Sequence, residues 1–254
     1  MTTRPGIGDV PPPEPVLRAA RRAVPPGTPV PALVRIRQEG VMRMRPGSRP
    51  LAFTATQDLH VGHVAFRWRA RFPILGPLAL RVVDGYAHGD GQLRVSVLGV
   101  PVQRRGGRDV AVGEALRYLA ELPWVPFAML GNPELAWSAV DADRAAVTAT
   151  AAGVPARAVV EVDGTGDVVR VSCDDRPRLA GRSAVPTPWT GELLDHRTLG
   201  GIRVPTRAEV RWDLPDGPFP YWSATVTSLE LIGPPPPPHG GRPYRPAPGG
   251  STIP

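Results

Sequence analysis

Three charged residues of this 254-residue chain, Asp84, Arg117 and Glu121, have the types and spacing needed for acid–base chemistry. Apolar residues alternate over 78–82, and the same alternation continues on one face to Asp84 and Tyr86. A carboxylate that enters an apolar face must find a hydrogen-bonding or charged partner. Two interpretations are open: Asp84 reaches water at the end of its strand, or it faces a polar pocket inside the domain.

A helix predicted from about Val110 to Leu122 supplies candidate partners for Asp84. Glu114, Arg117 and Glu121 lie three and four residues apart on it, which is the spacing of an ordinary surface ion ladder. If a curved sheet wraps the helix, Arg117 and Glu121 instead become buried groups that pair with Asp84. A carboxylate whose pKa is raised in such a pocket could act as a general acid or base on a small hydrophobic metabolite.

Trp124 follows this helix and stands between two prolines. Pro123 disfavours helical geometry at Leu122 and so ends the helix there, and we expect Pro126 to keep the chain extended. Trp124 then either closes one end of the core or stacks on a ligand. Aromatic residues are normal core material in a β domain, but several that meet around a cavity would suit an apolar ligand. The other tryptophans, all in or beside predicted strands, are Trp68, Trp137, Trp189, Trp212 and Trp222.

Several protein classes are excluded by residues that the chain lacks. All thirty basic residues are arginine, so neither a Walker lysine nor a Schiff-base lysine is available. The single cysteine, Cys173, rules out an intrachain disulfide and a cysteine-based zinc site, and its alternating apolar context predicts a core position. Asp58, His60 and His63 come nearest to a metal site, but two imidazoles in a turn need further ligands from elsewhere. We predict no metal and no cofactor.

Arginine alternates with apolar residues along successive predicted strands. This layout is typical of an antiparallel sheet with one solvated face. A face of one charge also attracts anions, so peripheral contact with acidic lipid headgroups is the alternative, whereas nucleic acid is not the expected partner. The arginines of this predicted face are Arg35, Arg37, Arg43, Arg45, Arg67, Arg69, Arg71, Arg81 and Arg94.

Patterns of period two fill most of the chain and predict about ten or more short strands around one principal helix. The fold class is therefore α+β, with a mostly antiparallel sheet in a single β-rich domain over 32–232. Residues 1–31 are expected to form a proline-rich segment with a short helix in EPVLRAARRAV, and residues 233–254 a disordered proline-rich tail. No stretch is long and apolar enough for a transmembrane helix, and the N-terminus lacks an apolar signal core, so we expect a cytoplasmic protein.

Longer motifs follow one another in order from about residue 14 to residue 232. They are EPVLRAARRAVPPGTP, VRIRQEGVMRMRPGSRPLAFTATQ, DGYAHGDGQLRVSVLGVPV, RYLAELPWVPFAML and PTPWTGELLDHRTLGGIRVPTRAEVRWDLPDGPFPYW. Together they resemble a bacterial family of uncharacterised proteins of the DUF6544/DUF6920 type. The resemblance implies a LolA-like fold, that of the outer-membrane lipoprotein carriers, in which a curved antiparallel half-barrel closes over helices. It implies no established activity.

From these features we predict a non-catalytic protein that binds a hydrophobic or lipid-like ligand within the curved sheet. One alternative is a cofactor-independent enzyme that uses Asp84, Arg117 and Glu121. Another is an interaction scaffold that uses the arginine face or the proline-rich tail. The residues expected to contact the ligand are Trp68, Asp84, Tyr86, Arg117, Glu121, Trp124, Trp189, Trp212 and Tyr221.

Overall fold

The computed structural model describes residues 11–75, 78–181 and 183–233, which form three helices and thirteen strands. The helices are α1 (Glu14–Ala23), α2 (Arg108–Ala120) and α3 (Pro126–Gly131). The strands are β1 (Leu33–Met42), β2 (Leu51–His60), β3 (Phe66–Leu75), β4 (Leu78–Ala87), β5 (Asp90–Val97), β6 (Val100–Arg105), β7 (Ala136–Ala139), β8 (Arg144–Ala151), β9 (Val154–Val162), β10 (Val168–Ala180), β11 (Ser183–Leu199), β12 (Ile202–Leu214) and β13 (Gly217–Ile232).

All thirteen strands belong to one antiparallel sheet in the order β6-β5-β4-β3-β2-β1-β13-β12-β11-β10-β9-β8-β7. Helix α2 packs against β4 and β5 near one edge and against β8, β9 and β10 near the other. One helix can touch both edges only if the sheet curves around it. The predicted fold class, an α+β half-barrel wrapped over a principal helix, is therefore confirmed.

The approach of α2 to the sheet depends on one glycine. A Cβ atom added to Gly91 of β5 would lie 2.8 Å from the Cα of Ala111 in α2. Any larger residue at position 91 would push the helix away from the sheet, because real Cβ atoms do not come that close to backbone. Gly91 thus allows the close contact between β5 and α2.

The inner face of the sheet is set by alternation along each strand. In β3, for example, Phe66, Trp68 and Phe72 are buried, whereas Arg67 and Arg71 are exposed. Period-two alternation produces this pattern because successive side chains of a strand point to opposite faces. The inner face and α2 share one apolar core.

The segment after α2 differs from the prediction. Helix α2 ends at Ala120, and a single 3-10 turn spans Leu122–Trp124 before α3 begins at Pro126. The expectation that Pro126 keeps the chain extended is wrong. Proline fits the first position of a helix because its missing N–H would have no partner there and its fixed φ is already helical.

Helix α1 lies where the sequence placed a short helix, and it packs against α3, β8, β9 and β12. In the described part of the chain, no helix is both long and apolar enough to cross a bilayer. The predicted disordered tail, apart from Gly233, lies outside the described residues, as do residues 1–10.

Candidate functional site

The three charged residues singled out by the sequence meet inside the half-barrel. Arg117 donates from Nη1 to Oδ2 of Asp84 at 2.6 Å and from Nε to Oε1 of Glu121 at 2.9 Å. The side chains of Arg117, Asp84 and Glu121 are only 16, 10 and 9% exposed. An ordinary surface ladder is therefore wrong for this helix, and the structure has the buried arrangement. Asp84 does not reach water at a strand end.

Two buried glutamines and two aromatic rings extend this charged group. Gln57 of β2 donates from its Nε2 to Oε2 of Glu121. The guanidinium of Arg117 lies 4.9 Å from the ring centres of Phe66 and Trp68, within the range of a cation–π interaction. Trp68 in turn donates its indole N–H to Oε1 of Gln38 at 3.0 Å.

Sequence reasoning missed both glutamines. Gln38 continues the inward phase of Val34 and Ile36 in β1, and Gln57 continues that of Phe53 in β2. A polar residue on the apolar phase of a strand is the same signal that identified Asp84, so it could have found them.

The electrostatics of this group follow from its burial. Burial acts to lower the pKa of Arg117, but the charges of Glu121 and Asp84 outweigh it and raise that pKa. Burial also raises the pKa of Glu121, and this effect exceeds the opposing influence of Arg117 and Gln57. The guanidinium of Arg117 thus pairs with both carboxylates, Asp84 and Glu121, in a buried and poorly solvated site.

Glu114, one turn earlier on α2, adds a third carboxyl group. Among the described residues, Oε2 of Glu114 and Oδ1 of Asp84 are buried and have no hydrogen-bond donor. The pKa of Glu114 is raised well above its ordinary value, first by burial and then by the negative charge of Asp84 beside it. The two residues therefore form an acid pair, of which the sequence had indicated only Asp84 as an inward-facing group.

A cavity of about 210 Å³ lies between α2 and the inner face of the sheet. Seven of the nine residues expected to contact a ligand line it: Trp68, Asp84, Arg117, Glu121, Trp124, Trp189 and Tyr221. Tyr86 does not line it; its hydroxyl donates to the carbonyl of Thr150 at 3.3 Å. Trp212 lies behind the wall, stacked on Tyr221 with ring centres 5.6 Å apart. Contact of these residues with a ligand stays a prediction.

Aromatic and apolar side chains also line the cavity. They include Met42, Trp222, Leu193 and Val210, and the Glu114 side chain lines the same cavity.

A second arginine reaches the cavity from β10. The guanidinium of Arg176 lies 4.8 Å from the ring centre of Trp189 and 5.8 Å from that of Trp212. Trp189 is itself fixed, because its indole N–H donates to the hydroxyl of Tyr221 at 3.0 Å. Sequence reasoning missed Arg176, since its local context, SCDDRPR, is that of an exposed charged segment.

Trp124 closes the core and also contributes to the cavity wall. It is buried, and its indole N–H donates to the carbonyl of Pro205 in β12 at 2.8 Å. The hydrogen bond ties the turn after α2 to the sheet. Trp124 is thus held in place by the protein itself, which leaves its ring face as the part that a ligand could touch.

The outer face of the sheet carries the predicted arginines, except Arg43 and Arg45. Arg35 and Arg69 both bind the carboxylate of Asp58, at 2.6 and 2.9 Å, so this aspartate belongs to an ion-pair network on the outer face. Arg43 and Arg45 do not lie on a strand, because β1 ends at Met42.

Met44, His63 and Cys173 lie outside the cavity lining. Met44 follows the end of β1 and is exposed. His63 lies 3.3 Å from Glu134, which also accepts the backbone N–H of Val64. Cys173 is buried, and burial raises the pKa of its thiol to about 11.

Comparison with known proteins decides the family. The sequence model of a family of unknown function, DUF6544, matches residues 8–224. The chain belongs to this family. The resemblance seen in the sequence motifs is thereby confirmed for DUF6544, and its extension to the DUF6920 type stays a prediction.

One solved structure similar to this DUF6544 protein is a LolA superfamily protein, NE2245 from Nitrosomonas europaea. The two share 10% sequence identity with a TM-score of 0.48, over 89% of this chain and 96% of that chain. Among curated proteins, none matches.

Proposed function

We propose that this DUF6544 protein binds a small amphipathic molecule, with its apolar part against the aromatic wall and its polar end at the acid pair. The observation that carries the proposal is the cavity itself, which joins an apolar wall to buried acceptor atoms. Pockets for small ligands are typically apolar with a few convergent polar groups that fix the orientation.

The polar end of the cavity favours a ligand that donates hydrogen bonds. Asp84 Oδ1 and Glu114 Oε2 are acceptors without a donor in the described residues. Burying such atoms unpaired costs about 1–3 kcal/mol each, so a hydroxyl or ammonium group would gain by reaching them. Arg117 already pairs with two carboxylates, whereas Arg176, which also lines the cavity, forms no ion pair with any described residue and could meet an anionic group.

The apolar wall favours an alkyl or aryl group on the same ligand. A cavity of about 210 Å³ exceeds the space of a few waters, for which about 10–15 Å³ each is enough. The tryptophan and methionine side chains that line it would bury apolar surface of the ligand at about 25 cal/mol per Å².

A matched series of short ligands tests the proposal: hexylamine, 1-hexanol and hexanoate share one chain and differ only in the head group. Binding is measured by calorimetry and by the change in tryptophan fluorescence. We expect the amine and the alcohol to bind more tightly than the carboxylate. At a pH above the raised pKa of Glu114, E114Q should weaken amine binding about tenfold, because it removes a charged acceptor. E39Q, on the exposed outer face, is the matched control.

The outcome that would overturn the proposal is equally concrete. If none of the three ligands binds, and native mass spectrometry shows no copurified or added lipid, the cavity is not a ligand site. A clear preference for hexanoate would retain a binding protein but reject the acid pair as the polar end.

Amine binding should depend on pH in a defined direction. The charged groups that face Glu114 are Asp84 from β4, Arg117 from α2 and Arg176 from β10. Above the raised pKa of Glu114 the carboxylate is free to accept from an ammonium, and below it the proton occupies that place. Hexylamine should therefore bind more tightly as pH rises through this range, and 1-hexanol should show a weaker dependence.

A second candidate function is proton transfer to a small hydrophobic metabolite without a cofactor. The convergence of Asp84, Arg117 and Glu121 within hydrogen-bond distance favours it. Glu114 is the candidate proton donor, because burial and the charge of Asp84 raise its pKa well above the ordinary value and so favour its protonated form. Turnover on a panel of hydrophobic esters and epoxides that E114Q abolishes, with folding intact, would support an enzyme.

The scaffold hypothesis depends partly on the proline-rich tail, which lies outside the described residues, and deletion of residues 234–254 is its test. The cytoplasmic location stays a proposal that cell fractionation can check.

A further inference from the structure

Exposed apolar side chains gather at one end of the half-barrel. Because consecutive strands are antiparallel, the turns β1–β2 and β5–β6 lie at the same end of the sheet as the end of β3 and the start of β4. Met42, at the end of β1, pairs with Trp222 near the start of β13, so the turns β12–β13, β10–β11 and β8–β9 lie at this end as well.

Eight of the eleven exposed large apolar residues in the described chain lie at this end. Each is in one of these turns or within the first or last three residues of a flanking strand, and Met44 and Leu98 are the most exposed at 71 and 75%. The eight are Met44, Leu51, Ile74, Leu98, Val100, Val102, Leu179 and Val185. Single exposed apolar residues are ordinary, so the feature that calls for an explanation is that eight of the eleven lie at one end of the sheet.

Arginine accompanies these apolar residues. The β1–β2 turn carries Arg43, Arg45 and Arg49, and none of the three forms an ion pair with any residue that the structure describes. Further along the same end, Arg71 of β3 stands directly opposite Arg81 of β4, and like charges in that position repel. Two carboxylates lie in or beside the β12–β13 turn at this end: Asp213, which Arg211 already binds, and the exposed Asp216.

The cavity reaches toward the same end. Met42 and Trp222, which pair across the β1–β13 ladder, both line it. The next residue, Arg43, donates its backbone N–H to the carbonyl of Tyr221, another wall residue, at 2.7 Å. The arginine-bearing turn is therefore a direct continuation of the cavity wall.

We propose that this end, here called the hairpin rim, docks on an anionic lipid bilayer. The hairpin rim consists of the eight apolar residues named above with Arg43, Arg45 and Arg49. Exposed apolar side chains beside arginines fit the boundary between lipid headgroups and acyl chains, because there the apolar side chains leave water and the arginines contact phosphate groups. A second protein would need a complementary surface with negative charge, whereas a bilayer supplies negative charge and apolar depth everywhere.

Vesicle binding by the full chain tests the hairpin rim. We expect cosedimentation with vesicles of phosphatidylcholine and phosphatidylglycerol, weak binding to phosphatidylcholine alone, and loss of binding at high salt. R45S/R49S should weaken the partition about fivefold for each charge removed. M44S/L98S should weaken it about tenfold or more, because two apolar tips no longer leave water.

V140S is the matched control, since Val140 is 42% exposed but lies in the β7–β8 turn at the opposite end. This variant should bind like the unaltered protein. Near-ultraviolet circular dichroism of every variant establishes that folding is intact.

Three results would overturn the proposal. The first is equal binding to both kinds of vesicle, the second is equal loss in V140S and M44S/L98S, and the third is no binding at all. Light scattering that shows a dimer dissociated by M44S/L98S, without vesicle binding, would assign the hairpin rim to a second copy of the chain instead. None of these results bears on the hexyl ligands, so the hairpin rim and the cavity can fail separately.

Discussion

Replacement of Arg117 by methionine should destabilise the fold far more than loss of an ordinary helix ion pair. A surface pair on a helix is worth about 0.2–0.5 kcal/mol. Arg117 instead holds two buried carboxylates at 2.6 and 2.9 Å, and its removal leaves Asp84 and Glu121 without their counter-charge. Breaking a buried pair by removing one partner typically costs about 3–5 kcal/mol. At about 2–4 °C per kcal/mol for a chain of this size, the melting temperature should fall by roughly 6–20 °C.

The assay is urea denaturation followed by tryptophan fluorescence, with thermal unfolding alongside. R21M is the matched control, because Arg21 forms an ion pair with Glu14 at 3.2 Å on α1 with both side chains more than 60% exposed. It should lose less than about 1 kcal/mol. In the triple variant R117M/D84N/E121Q the stranded charges are gone, so much of the lost stability should return.

The reasoning is refuted if R117M costs no more than R21M. It is also refuted if the triple variant is as unstable as R117M, since the loss would then come from packing of the arginine side chain and its contact with Phe66 and Trp68.

Three further perturbations follow from the same structure. The pKa of Glu114 is raised in the folded state. Its contribution to stability is therefore present below its unfolded pKa and is lost as pH rises toward the folded value, at about 1.4 kcal/mol per pH unit. Over that range E114Q should gain stability relative to the unaltered protein, as measured by urea denaturation at a series of pH values. Arg203 donates two hydrogen bonds of 2.8 and 2.6 Å to Asp167 and holds the pKa of that carboxyl low. The D167N variant should therefore lose roughly 1–3 kcal/mol of unfolding free energy at pH 7, measured by urea denaturation. The difference from the unaltered protein should shrink as pH falls below about 4, because Asp167 then becomes protonated. Cys173 is buried with its thiol pKa raised to about 11, so a thiol reagent should label it only as fast as the protein unfolds, and rapid labelling at pH 7 in native conditions would contradict its placement.

The sheet could be predicted from the sequence because alternation is a local property. Phe66, Trp68 and Phe72 share one face whatever the rest of the chain does, and the same alternation brought Asp84 to that face. The partners of Asp84 could be named only as alternatives, because the helix spacing fits both a surface ladder and a buried group. Only the curvature of the sheet around α2 decides between them, and curvature is a property of all thirteen strands.

Other features depend on contacts that no local pattern contains. Gln57 reaches Glu121 across 64 positions of the chain, and Arg176 reaches Trp189 across a bulged region of the β10–β11 ladder. Pro126 shows a different limit: its fixed φ suits both an extended segment and the first turn of a helix. The sequence alone favoured the wrong one.

Stability does not explain why the buried charges stand where they do. A buried ion pair is often matched or exceeded in stability by well-packed apolar residues of similar volume, because desolvation of the charges costs several kcal/mol. The close packing of Gly91 against Ala111 and the apolar core shared with the sheet already hold α2 in place. The charged group also leaves acceptor atoms of Asp84 and Glu114 without donors, and both residues line the cavity. Under the proposed binding function, the polar end of the ligand would supply the hydrogen-bond donor that these two atoms lack.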